Sequence, residues 1–62
     1  MLEGQRKGLI EGIEGMLEIK YADDGLKLMV LVRKIKAVER LEGFKKLIKE
    51  SATVEELRAF FR

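Results

Sequence analysis

The stretch Leu9-Ile10-Glu11-Gly12-Ile13-Glu14-Gly15-Met16-Leu17-Glu18-Ile19-Lys20-Tyr21, followed by Ala22-Asp23-Asp24-Gly25, decides the fold. Leu9, Ile13, Met16 and Leu17 recur at helical spacing and Leu2 stands one heptad before Leu9, so residues 2–21 read as a helix with one apolar stripe. At about 100° per residue, Gly4, Gly8, Gly12 and Gly15 gather on a second face, with Glu11, Glu14 and Glu18 largely between or beyond the two. The helix therefore offers two contact faces. Each interior Gly costs about 0.8–1 kcal/mol of helix propensity relative to Ala. Gly at every fourth position also lets another backbone approach closely, and such a contact can offset the cost. A frayed helix N-terminus is the plainer reading of the same glycines.

Downstream, Ala22-Asp23-Asp24-Gly25 interrupts the pattern with turn formers, and either Asp can cap a helix that starts near Gly25 or Leu26. So short a connection favours an antiparallel helical hairpin. Leu28, Leu31, Ile35 and Val38 continue the apolar pattern, then Leu41, Phe44 and Leu47 or Ile48, but its direction drifts. On one straight helix Leu28 and Phe44 would point about 160° apart, which predicts a bend or break near Lys36-Ala37. The last helix is announced by Thr53 with Glu56 three residues on, a capping box, and Glu55 adds charge to its acidic first turn. Val54, Leu57 and Phe61 form its apolar stripe, with Phe60 beside it. Helices are thus expected at about 2–21, 25–36, 37–50 and 53–61, in a single all-α module of three to four helices spanning 1–62.

A chain of 62 residues hides only about 60% of the surface its unfolded form exposes, so a lone protomer's core is expected to be marginal. The usual supplements are disulfides, a structural metal or a partner chain, and the sequence has no Cys and no His for the first two. Association is the expected supplement: a homo-oligomer, with a dimer favoured. A hydrophobic fraction of 47% beside 39% charged residues is too apolar for a disordered chain. No apolar run approaches the length needed to span a bilayer, and Glu3 and Gly4 stand where a signal peptide would begin its apolar stretch, so a cytoplasmic location is expected. The net charge of +2 makes a weak signal for nucleic acid.

One fragment looks catalytic. Glu18-Ile19-Lys20 matches the second half of the metal-binding motif of PD-(D/E)XK nucleases, which needs an Asp on a preceding strand so that two carboxylates hold Mg²⁺. No Asp precedes Glu18, and on a helix Glu18 and Lys20 lie about 200° apart, so a solvated helix surface is the expected role. Asp23-Asp24-Gly25 lacks the alternating ligands and closing Glu of a calcium loop and reads as a turn. Ser51, Thr53 and Tyr21 are the only hydroxyls, without a His to serve as base. No catalytic residue, cofactor or metal is therefore expected, and the chain reads as a non-enzyme.

The residues expected to act are those of an association face: Leu9, Ile13, Met16 and Leu17, with Gly8 and Gly12. The alternative is a small DNA-associated regulator in which Arg33, Lys36 and Arg40, which share a side if the chain stays helical, follow a phosphate backbone. Lys45, Lys46 and Lys49 form a second basic group. Acidic neighbours Glu39, Glu42 and Glu50, and the lack of an evident interleaved aromatic, favour a solvated, salt-bridged surface over nucleic-acid contact.

The run Glu11-Gly12-Ile13-Glu14-Gly15-Met16-Leu17-Glu18-Ile19-Lys20-Tyr21, then Gly25-Leu26-Lys27-Leu28-Met29, resembles the C-terminal helical region of the Rpn family of recombination-promoting nuclease and transposase-like proteins. Ile48-Lys49-Glu50-Ser51-Ala52-Thr53-Val54-Glu55-Glu56-Leu57 is similar to the terminal helix of that region with its Ser/Thr cap. The chain departs from the pattern at Lys36-Ala37, where the family tends to place an acidic residue, and at Met29-Val30-Leu31, where it sometimes has Pro. In that family the PD-(D/E)XK-like nuclease domain lies upstream, so the resemblance implies an accessory tail with no catalytic residue to carry over. It also implies a role in holding nuclease-like subunits together, or in competing for a longer Rpn-like partner's association surface.

Overall fold

The computed structural model describes residues 2–61, and every regular element among them is a helix. The order is α1 (Leu2–Leu26), α2 (Met29–Val32), α3 (Val38–Glu50) and α4 (Val54–Ala59). The Leu2 side chain, expected to begin the apolar stripe, lies outside the described residues. α1 runs past the expected stop at Tyr21 but changes direction there, because Ala22 has φ 52° and ψ −132°. The turn Asp23–Leu26 then folds back, and Lys27 N–H donates to Asp23 O at 3.1 Å.

Between Leu28 and Ile35 the chain returns along α1. Arg6 fixes the far end of this return: its Nε donates to Ile35 O at 2.9 Å and its Nη2 to Arg33 O at 2.7 Å. The helix expected over 25–36 contracts here to the single turn of α2. Leu28, Met29, Val32 and Ile35 are all buried at the spacing of one helical face, and after α2 only single i→i+3 bonds remain, from Lys34 N–H to Leu31 O and from Ile35 N–H to Val32 O. Residues 35–37 are non-helical, and Ala37 is extended (φ −84°, ψ 125°). Lys36-Ala37, where the apolar direction drifts, lies in this stretch.

α3 packs mainly on α1. The two run parallel, since Arg6 of α1 meets Ile35 just before α3, and Lys20 of α1 meets Ile48 near its end. α3 buries Leu41, Phe44 and Ile48, spaced by one helical turn. Thr53 and Glu56 form the capping box of α4, and Glu56 accepts from Thr53 N–H at 3.3 Å. Leu57 is fully buried, and Phe60 and Phe61 close on Phe44 with ring centroids 5.1 and 5.0 Å away. Tilted rings at these separations are favourable for aromatic pairs.

The core thus closes inside one chain. Ile13, Leu17, Val32, Leu41, Phe44 and Leu57 are each 0% exposed without any partner. The apolar stripe through Ile13 and Leu17 is therefore covered within the protomer. The return segment and α3 cover it.

Candidate association surface

The expected association face divides in two. Ile13 and Leu17 point into the protomer's own core and are not available to another chain. Leu9 and Met16 are half-buried against that core, whereas Gly8 and Gly12 are exposed. Ile13 and Leu17 turn well away from the glycines around α1, whereas Leu9 and Met16 border the glycine side, so the six residues do not form one contact face.

The outward side carries a second arrangement. A Cβ built on Gly4, Gly8, Gly12 or Gly15 would meet nothing within 4 Å, and none of them has a positive φ. Neither packing nor backbone conformation within the protomer requires Gly at these positions. At the same angle around the helix stands Ile19, 89% exposed. A shallow cleft of about 370 Å³ adjoins it, lined by Met16 and Ile48 and by Lys20 and Lys49. The outer face of α1 is thus a flat, uncharged stripe that ends in an apolar knob. Helical periodicity alone places Ile19 on this stripe, a signal the apolar pattern of the inner face obscured.

Glu18 is exposed at the edge of the stripe, but Lys20 is more than a solvated residue. Its ammonium donates to Ile48 O and Ser51 O, each at 2.6 Å, and stands 3.4 Å from Lys49 O. These are carbonyls at the C-terminal end of α3, where intrahelical donors run out and the helix dipole favours a cation. Beside it the Tyr21 hydroxyl is 2.7 Å from Ser51 Oγ, which donates to Ile48 O at 3.0 Å. The Glu18-Ile19-Lys20 fragment thus joins α1 to the end of α3. Lys20→Met keeps the stem and removes the charge, and should cost about 1–2 kcal/mol, on the order of 5–15 °C in Tm for a domain this small. A thermal melt matching the parent's would refute this role.

The basic residues also separate. Arg33 lies toward α1, with its Nη2 3.6 Å from Glu14 Oε2, while Lys36 and Arg40 line a different cleft with Lys34. A shared side for Arg33, Lys36 and Arg40 requires continuous helix, and residues 35–37 are not helical. The Arg40 guanidinium stacks over Phe60, 4.9 Å from the ring centre. Asp24 pairs loosely with Lys27 at 3.9 Å. Among the described residues no group of three or more Asp or Glu is arranged to hold a metal ion, and no helix is long and apolar enough to cross a membrane. No family model, curated protein or solved structure matches the chain.

Proposed function

We propose that the protein is a small helical self-association module whose contact surface is the outer face of α1. The observation that carries this reading is the glycine stripe with Ile19 at its end. The three interior glycines, Gly8, Gly12 and Gly15, together cost roughly 2–3 kcal/mol of helix propensity, and the protomer gains no contact from them or from Gly4 in the first turn. Close approach of another backbone is the return such a stripe offers.

The spacing favours a second copy as the occupant. In an antiparallel pair centred between Glu11 and Gly12, Ile19 of each copy falls over the hollow at Gly4 of the other, and Gly8 falls over Gly15. Lys7 and Glu18 flank one edge of the stripe three turns apart and approach each other across the antiparallel pair, while the Glu11 residues of the two copies meet at the centre of that edge. A twofold pair of this kind is the commonest form of homo-oligomer. A single helix face makes a small interface, so association in the micromolar range is expected. In an Rpn-like setting the module would hold nuclease-like subunits together, or compete for their contact surface. Self-association stands without that setting.

The test separates stability from assembly. Replacing Gly8 and Gly12 together by Gln adds better helix formers at positions open to solvent, and should raise protomer stability by roughly 0.5–1 kcal/mol. The same change places two bulky polar side chains on the contact stripe. Sedimentation equilibrium should show the parent associating at micromolar concentration and the double variant monomeric. A monomeric parent, or a variant that associates equally well, would overturn the proposal.

A further inference from the structure

A second cleft lies between the return segment, the start of α3 and the C-terminal aromatics. Its volume is about 460 Å³, within the usual range of ligand pockets, and it is lined by Leu31, Lys34, Ile35, Lys36, Arg40 and Phe61. Three of the six are cations and none is acidic. Among the described residues, Lys34, Lys36 and Arg40 take part in none of the ion pairs, which are Asp24–Lys27, Glu14–Arg33 and Glu55–Arg58. The other three lining residues are apolar, and Leu31 is 38% exposed, one of only three large hydrophobic side chains so open among the described residues. Val30, 63% exposed, is its chain neighbour.

We infer that this cleft is a docking site for an acidic, amphipathic peptide segment of a partner protein, one that presents carboxylates beside a bulky apolar side chain. Charge complementarity selects the occupant's sign, since three cations that pair with no carboxylate among the described residues surround the opening. The apolar floor selects its second property. Leu31, Ile35 and Phe61 form a hollow that an aliphatic or aromatic anchor can fill, and such anchors carry most of the energy of peptide recognition. A nucleic acid fits less well. Phosphates need cations but leave an apolar floor wet, and base stacking needs an open aromatic face, while Phe61, the cleft's aromatic, already packs on Phe44 and Phe60 with centroids 5.0 and 5.2 Å away. The net charge of +2 also gives little long-range attraction for a polyanion. This site is independent of the α1 stripe.

The experiment uses fluorescence anisotropy with the full chain at near-physiological salt. The probe is a labelled peptide of about twelve residues in which Leu and Phe recur at helical spacing among Asp and Glu. Three controls accompany it: the same peptide with Asn and Gln for its acids, an oligoglutamate of equal charge, and single- and double-stranded DNA of similar length. The acidic amphipathic peptide should bind with a micromolar Kd, and both altered peptides at least about tenfold more weakly. Lys34→Glu with Lys36→Glu should weaken its binding by about tenfold or more, and both side chains are exposed, so the fold should survive. If circular dichroism shows that variant unfolded, Leu31→Ser and Lys34→Gln singly carry the same expectation of loss. The Gly8→Gln, Gly12→Gln variant should bind the peptide as the parent does, which keeps this result separate from self-association. No saturable binding of the acidic amphipathic peptide, equal binding of acid and amide peptides, or unchanged binding by the charge-reversed or substitute variants would overturn the inference. Tighter binding of DNA that is lost in the same variants would reassign the cleft to nucleic acid.

Discussion

Ile13→Asp is expected to unfold the protomer, whereas Ile19→Asp on the same helix should leave it folded and abolish only its association. The two residues differ in surroundings: Ile13 is 0% exposed and Ile19 is 89% exposed. At Ile13 the change forfeits about 1.5–3 kcal/mol of side-chain burial and forces a carboxyl without a partner into the core, which costs several kcal/mol more. A chain of this length holds roughly 3–9 kcal/mol of stability in total, so little or none would remain. At Ile19 the carboxylate stays in water, and a surface change of this kind stays within about 0.5 kcal/mol. In the proposed pair, however, it would face the hollow at Gly4 of the second copy and remain partly desolvated. Far-UV circular dichroism with a urea titration reads the first effect and sedimentation the second. A cooperative, parent-like unfolding curve for Ile13→Asp would show that the core does not close around α1 as described.

Gly25→Ala should destabilise the protein by about 2–3 kcal/mol, a large effect for one methyl group. After the kink at Ala22 the chain doubles back so closely that a Cβ on Gly25 would sit 2.7 Å from Leu17 O and 3.0 Å from the Cβ atoms of Leu17 and Tyr21. The nearest atom is main-chain, which cannot swing aside as a flexible side chain would, so the whole turn must move. Three residues earlier the sign reverses. Ala22 has φ 52°, a region that suits Gly, and its side chain is exposed, so Ala22→Gly relieves strain without losing packing. A gain of about 1 kcal/mol is expected. Urea midpoints at constant slope measure both changes. A neutral Gly25→Ala would mean that the turn does not approach Leu17 as closely as described.

The helical class is written along the chain in local terms. The spacing of Leu9, Ile13, Met16 and Leu17, the turn formers after Tyr21, the drift between Leu28 and Phe44, and the Thr53–Glu56 capping box each act over one or two turns of backbone. Such signals concern φ and ψ and the direction of neighbouring side chains, and a single sequence carries them. The glycine face of α1 is legible in the same way. Ile19 belongs to that face by the same arithmetic, although a search for apolar stripes passes over a lone Ile among glycines.

Which face of α1 turns inward is a different kind of question, because both faces satisfy local geometry equally well. The return segment decides it. Its buried Leu28, Met29, Val32 and Ile35, together with Leu41, Phe44 and Ile48 of α3, surround Ile13 and Leu17, so a core that length alone marked as incomplete closes within one chain. The contacts that hold this arrangement are distant in sequence: Arg6 reaches Arg33 and Ile35, and Lys20 reaches Ile48 and Ser51. Lys20 carries no local mark of its role, since a cation caps whichever helix end the fold brings beside it. Lys34, Lys36 and Arg40 form one group, and Arg33 leaves it, only because the chain abandons the helix at residues 35–37. The sequence by itself determined that the chain is helical, where α3 and α4 lie and which positions of α1 share a face, for those depend on the period of the backbone. The tertiary structure alone decided which face is core, which is surface and which charges become neighbours, because these depend on segments about thirty residues apart meeting in space.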